Sequence, residues 1–326
     1  MPNTFSVRRR QLAMKIEVTF GVDAVNTAAD LIEPVFDLEY TAEIEQFERD
    51  IIKEVFSPVA QIPGERSASI SFTTELKGSG NAGGDVPPAH LSVPLRTCGF
   101  AEAIIVGPGG SVTYTVVSTG IESSSIEIRE IEDDGDVIVK KLLGACGTVE
   151  IVAEKGQPVL LNFEFTGKYV EPFRIAAPGA LSPSPGFGIT PLPFLDVGFS
   201  FFGVTTLLLQ AVTFDAGVEC TLKNDINDPS GNLGAVVTSR TPTGSINPEQ
   251  VDPTVFNPWT QWGAAAEGAI EYTLGSVPGN TVKVAAPNAQ IVGVSDGDRD
   301  TIRTNELELQ LNGGPTGDDE LELTFT

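Results

Sequence analysis

Residues 36–46 read FDLEYTAEIEQ. Phe36, Leu38, Tyr40, Ala42 and Ile44 fall on one side of a period-two chain, and Asp37, Glu39, Glu43 and Glu45 on the other. That is the pattern of a strand with one face in a core and an acidic face outside it. The alternation returns in VTFDAGVECTLK at 212–223, and each half closes on a related strand, NFEFTGK at 162–168 and ELELTFT at 320–326. Two tandem copies of one β domain is the economical reading. A chain that carries its fold twice builds a pseudo-symmetric ring from half the number of subunits.

Outward from this strand, residues 1–35 read as an N-terminal arm. SVRRRQLAMKIEVTF begins as a short helix, and a turn-rich stretch follows, ended by Pro34. The first domain spans 36–171. Its second strand, 66–77, buries Ala68, Ile70, Phe72 and Leu76 and shows Ser67, Ser69, Ser71 and Thr73. KGSGNAGGDVPPAH then reads as a flexible glycine-rich loop, and LSVPLRTCGFAEA as a short amphipathic helix. Strands at about 111–118, 122–131, 136–143, 146–153 and 158–169 are separated by turns that include GPGG (107–110) and DDGD (133–136). Residues 172–193, with six prolines, three glycines and little charge, read as a linker. The second domain, 194–326, repeats the order: strands near 195–202, 206–224 and 234–245, a helix at 257–267 (NPWTQWGAAAE), then strands near 268–274, 281–285, 301–312 and 319–326.

A length of 326 residues suits two domains that each bury a core. The formal charge of −24 divides evenly: residues 1–172 hold 14 basic and 26 acidic side chains, and residues 173–326 hold 6 and 18, so each half carries −12. Nucleic-acid binding draws on Lys and Arg at phosphates, and this composition opposes it over the average surface. Cys98, Cys146 and Cys220 show no metal spacing and read as free thiols, which fits a reducing compartment. QLAMKIEVTFGV is interrupted by polar residues where an export signal needs an apolar core, and no run approaches the roughly 18 apolar residues of a membrane-spanning helix.

Chemistry-bearing patterns are weak. SDGDRD at 295–300 begins like a calcium loop, but Thr301 stands where that loop needs glycine and Leu307 where it needs a carboxylate. Any Ser-His or Cys-His catalysis must use His90, the single histidine, which reads as a surface residue beside a flexible loop. KGSGNAGGD lacks the Lys-Ser ending of a phosphate loop. Trp259 and Trp262, three apart on a helix, read as one buried face. No catalytic residue, metal ligand or cofactor is expected. The acidic stripes remain: Glu43 and Glu45, Glu219, Glu306 and Glu308, Glu320 and Glu322.

RRRQLAMKIEVTFGVDAVNTAADLI, PGERSASISFTTELKGSG, PPAHLSVPLRTCGFAEA, LLGACGTVEI and PVLLNFEFTGKYVEP, in order through residues 8–172, resemble the tail tube (major tail) proteins of long non-contractile-tailed bacteriophages. The second half looks like a diverged copy. The resemblance implies a non-enzymatic virion tail protein, mainly β, with tandem β-sandwich or open-barrel domains, each flanked by a short helix. It also implies a long loop reaching a neighbour and stacked rings that conduct genomic DNA. Six tube domains usually close a ring, so two per chain give a trimer with pseudo-sixfold symmetry. With about four strands per domain, ~24 strands spaced ~4.8 Å apart make a circumference of at least ~115 Å.

On this reading these glutamates, Glu43, Glu45, Glu219, Glu306, Glu308, Glu320 and Glu322, are candidates for the lumen or an outer polar face. Arg8, Arg9 and Arg10, with loop 78–90, are candidates for ring stacking, so deleting residues 1–14 is expected to leave a folded chain that no longer polymerises. The expected partners are other copies of the chain, tape-measure, tail-tip and tail-terminator proteins, and double-stranded DNA passing without specific binding, with assembly in the host cytoplasm. The competing reading is a carbohydrate- or receptor-binding β-sandwich; a polysaccharide-cleaving enzyme ranks below it.

Overall fold

The computed structural model describes residues 6, 8–133, 135–176 and 188–326. The first half forms β1 (Arg10–Ile16), β2 (Leu31–Ile32), β3 (Phe36–Phe47), β4 (Ile62–Glu75), α1 (Ala89–Thr97), β5 (Phe100–Ile105), β6 (Ser111–Val116), β7 (Ser124–Ile131), β8 (Val137–Glu154) and β9 (Leu160–Ile175). The second half forms β10 (Ser200–Phe201), β11 (Ala211–Asp215), β12 (Val218–Asn224), β13 (Asn232–Arg240), β14 (Thr243–Ile246), α2 (Pro258–Gly263), β15 (Glu267–Leu274), β16 (Val282–Arg299), β17 (Ile302–Leu311) and β18 (Glu322–Phe325). The chain is mainly β, as the alternation requires. Half of the expected 172–193 linker, residues 177–187, is outside the described residues, and β9 runs through its first residues to Ile175.

Pairing orders eight antiparallel strands as β3-β4-β9-β8-β11-β14-β17-β16. Four come from before the linker and four from after it. The two quartets share one order: first strand, second strand, last, next to last. In both, a helix follows the second strand. The halves meet where β8 pairs with β11, and again where β6 pairs with the C-terminal β18.

One face of the eight-stranded sheet is apolar. Ile70, Phe72, Phe163, Phe165, Val149, Ile151, Phe214, Leu307 and Leu309 are all buried there. Phe72, Phe163 and Phe165 stack at centroid distances of 5.3, 5.9 and 5.8 Å. β8 and β16 are long enough to leave this sheet and carry a second layer: β7, β1 and β2 join the N-terminal part of β8, while β15, β18, β6 and β5 extend from that of β16. β8 replaces the two strands expected at 136–143 and 146–153. It changes register between Leu143 and Cys146, where Gly144 adopts φ +54 and a Cβ would lie 2.9 Å from the Gly234 Cα, so only glycine fits.

Four local expectations are corrected. SVRRRQLAMKIEVTF forms the strand β1, not a helix; Leu12, Ala13 and Met14 are buried, because pairing to β7 and burial outweigh helix propensity. His90 is fully buried, because α1 begins at Ala89 and turns His90 inward with Leu91, Pro94 and Leu95. Trp259 and Trp262 are 50% and 41% exposed, because the six-residue α2 buries only Pro258. Cys146 and Cys220 are joined as a disulfide, 74 residues apart in sequence, because the β12–β13 ribbon folds back over β8. Cys98 is free and buried. No helix among the described residues is long and apolar enough to cross a membrane.

Candidate functional site

The opposite face of the eight-stranded sheet is polar along every strand. In one row, Thr73, Asn162, Glu150, Asp215, Thr243, Gln310 and Gln290 lie side by side across seven strands. In a second row Glu39 opposes Ser71, Ser71 opposes Glu164, and Glu164 opposes Thr148. Glu43 stands opposite Ser67, and Glu308 lies between Ser245 and Gly293. These positions follow from period-two alternation once the core side chains face the other way.

Apart from Lys168, which is paired, the charges named on this face are acidic. Glu39, Glu43, Glu45, Glu150, Glu154, Glu164, Asp215, Glu306 and Glu308 enter none of the ion pairs among the described residues. Where they are hydrogen bonded, the donors are neutral. Asn162 Nδ2 donates to Glu150 Oε2 at 3.0 Å, and the Gly217 N–H donates to Asp215 Oδ1 at 2.8 Å. Thr304 Oγ1 donates to Glu306 Oε1 at 3.1 Å. Lys168, in line with Ser67, is taken by Asp228 of the turn between β12 and β13. Asp215 and Glu150 are direct cross-strand neighbours, an arrangement that destabilises a sheet. Surfaces shaped only by solubility intersperse both signs.

Of the glutamates singled out in the sequence, Glu43, Glu45, Glu306 and Glu308 share this face, at its two ends. Glu219 lies on the β12–β13 ribbon, hydrogen bonded by Ser239. Glu320 accepts from Arg240 at 3.0 Å, and Glu322 sits in the second layer opposite Thr115. Glu39 was read on the acidic side of its strand but not among the candidates, and Glu150, Glu154, Glu164 and Asp215 were missed. Glu164 alternates with Phe163 and Phe165 in NFEFTGK, so its direction was legible, but which strands lie beside it was not.

The basic cluster is partly engaged. Arg9 binds Asp133 at 2.6 Å, and Arg10 stands opposite Glu130 in the β1–β7 pair. Arg8 is exposed beside a groove lined by Arg10, Glu33, Phe36 and Asp37. Loop 78–90 is stitched to the turn before β16: Gly78 N–H donates to Asn280 Oδ1 at 2.9 Å and Gly80 N–H to the Gly279 carbonyl at 2.9 Å. Asn81, Ala82 and Gly83 at its tip are exposed. Segment 48–61, beyond the last β3–β4 pair, Phe47 with Ile62, is exposed along most of its length. SDGDRD closes the β16–β17 hairpin, and no group of three or more His, Cys, Asp or Glu among the described residues is arranged to hold a metal ion.

A family model described as phage tail tube protein matches residues 8–326, both quartets of strands included. The chain belongs to the phage tail tube protein family. No curated protein sequence matches it. Family membership makes this chain a structural component of a virion tail, one that assembles into a tube. The extent of the match removes the asymmetry of the sequence resemblance, which was carried by residues 8–172.

Proposed function

We propose that three copies close side by side into a ring whose inner wall is the eight-stranded sheet, and that rings stack into a tube conducting double-stranded DNA. In this reading the chain is two tube modules in tandem. The identical strand order of the two quartets supports it. Three chains then supply ~24 strands, and at ~4.8 Å per strand the wall closes at a circumference of at least ~115 Å, a backbone diameter of ~37 Å before tilt widens it.

The observation that carries the reading is this acidic face. Carboxylates held without cationic partners maintain a negative potential over the wall, and potentials reach about a Debye length, ~8 Å at physiological salt. A polyanion is therefore kept from adhering and slides. No residue is assigned a catalytic role. Tape-measure, tip and terminator proteins are the further partners of the assembly, which forms in the host cytoplasm.

Electron microscopy of assembled tubes tests this. The expected result is threefold rings with two pseudo-equivalent modules per chain and Glu39, Glu150, Glu164, Asp215 and Glu308 on the bore. A bore lined by the second layer, or six chains per ring, would refute it.

A further inference from the structure

Cys146 and Cys220 come from different halves of the chain, 74 residues apart. Cys146 sits on β8 at its change of register, and Cys220 on β12 at a second one, between Glu219 and Cys220. Their Cα atoms are 6.3 Å apart, a span that a disulfide bridges without moving the backbone. Besides the chain itself, this bond is a second covalent connection between the halves, close to the junction where β8 pairs with β11.

The ribbon does not depend on sulfur for its place. It crosses β8, β9 and β4 and is held on both sides of Cys220. At its turn, Asp228 pairs with Lys168, the Arg66 N–H donates to the Ser230 carbonyl at 2.9 Å, and Asn232 Nδ2 donates to the Arg66 carbonyl at 2.9 Å. At its base, the Val218 N–H donates to Thr148 Oγ1 at 3.1 Å, and Arg240 pairs with Asp318 and Glu320 at 3.1 and 3.0 Å. With the sulfur bond open, these contacts still hold the two cysteines together. Small reagents have a way in: Cys220 is half-buried, and Cys146 lines a cavity of about 450 Å³ that is bordered by the exposed Ser118, Thr119 and Gly120. Cys98 is fully buried and does not compete.

Assembly takes place in the host cytoplasm on the reading given above, and thiol pools there keep cysteines reduced. We infer that Cys146 and Cys220 are a dithiol during assembly and close into the disulfide after the virion is released, so that the two modules of each copy become cross-linked only in the finished tube. The inference rests on the tube reading. The oxidant is a low-molecular-weight disulfide of the medium. The Cys220 thiolate attacks one of its sulfurs and releases one thiol; the Cys146 thiolate then attacks the Cys220 sulfur and releases the second. Two protein thiols are oxidised, one external disulfide is reduced, and the two protons pass to the released thiols. The closed loop spans both modules, so the late bond stabilises the wall against unfolding.

The test compares tails taken from inside infected cells with released virions, each quenched in acid, denatured and labelled with a maleimide. Mass spectrometry of the intact chain is expected to show three labels from inside cells and one, on Cys98, from virions. One label inside cells, or three on virions, would overturn the proposal. Purified chain is also assembled under a phosphine reductant and then treated with oxidised glutathione. Tubes are expected under the reductant, and oxidation is expected to raise their melting temperature by roughly 5–10 °C, a shift that Cys220→Ala abolishes. Tubes from oxidised chain only, no shift in wild type, or a shift that persists in Cys220→Ala would overturn the late bond and leave the tube reading standing. Wild-type chain that forms neither rings nor tubes in either state would overturn the tube reading itself.

Discussion

His90 lies in a fully buried site, its Nε2 3.1 Å from the Glu75 carbonyl oxygen, to which the neutral ring donates. Burial lowers its pKa from the ordinary 6.5 to about 4. The unfolded chain therefore binds a proton below pH 6.5 that the folded chain refuses until about pH 4, and stability falls as pH drops through that window. Between pH 7 and 4.5, wild-type protein is expected to lose about 2 kcal/mol more than His90→Gln in urea unfolding. Equal losses would mean that His90 titrates normally. Asp215 opposes Glu150 without a cation, so Asp215→Asn is expected to raise stability by about 0.2–1 kcal/mol, measured the same way. A gain of this size from removing a charge would mark the position as one kept acidic for a reason other than folding. Cys98 illustrates the reverse case: burial pushes its thiol well up, so it stays protonated and inert.

Among the elements, β1 changes how the N-terminus is tested. Leu12, Ala13 and Met14 pack in the core and pair with Ile128, Glu127 and Ile126 of β7. Deleting residues 1–14 therefore removes a core strand; the truncated chain is expected to be insoluble or to lack a cooperative thermal transition by circular dichroism. A folded truncation product would contradict the placement of β1. Arg8→Ala with Arg9→Ala instead spares the core and is expected to shift stability by no more than about 0.5 kcal/mol. Whether that variant polymerises then reports on the basic cluster alone. The alternation in β3 was legible but incomplete. Leu38 is buried and Tyr40 half-buried, whereas Phe36 and Ile44 are 43% and 39% exposed: a register shift between Phe36 and Glu39 sets Phe36 opposite Thr73 of the polar face, and Ile44 lies on an edge strand beyond the last β4–β9 pair. α1 and α2 formed at the stretches expected to be helical, LSVPLRTCGFAEA and NPWTQWGAAAE, though both end early and FAEA belongs to β5; His90 was misplaced because α1 begins one residue before it, and both tryptophans because a six-residue helix has too few turns to declare its buried face.

For the whole molecule, the proposed acidic bore predicts a specific defect. Glu164→Lys with Glu308→Lys places cations on this face without disturbing the core, and tubes carrying the pair are expected to retain DNA at low salt. Retention should weaken steeply as salt rises, because each lysine–phosphate contact releases counterions. Fluorescence of DNA left in tails after triggered ejection measures it, with wild-type tails as reference. Retention equal to wild type at every salt concentration would place this face away from the DNA. The exposed face is continuous only because β8 pairs with β11, joining one half's quartet to the other's.

Period-two alternation is a local property of the chain, so the residues alone established a mainly β protein and the acidic side of strands such as 36–46, and the strings quoted from residues 8–172 pointed to the tube family. Strand neighbours, the burial of His90 and the meeting of Cys146 with Cys220 depend on contacts between segments far apart in sequence. No local pattern encodes those contacts. Glu164 shows the division: its own strand says which way it points, and only the folded sheet puts it in line with Glu39.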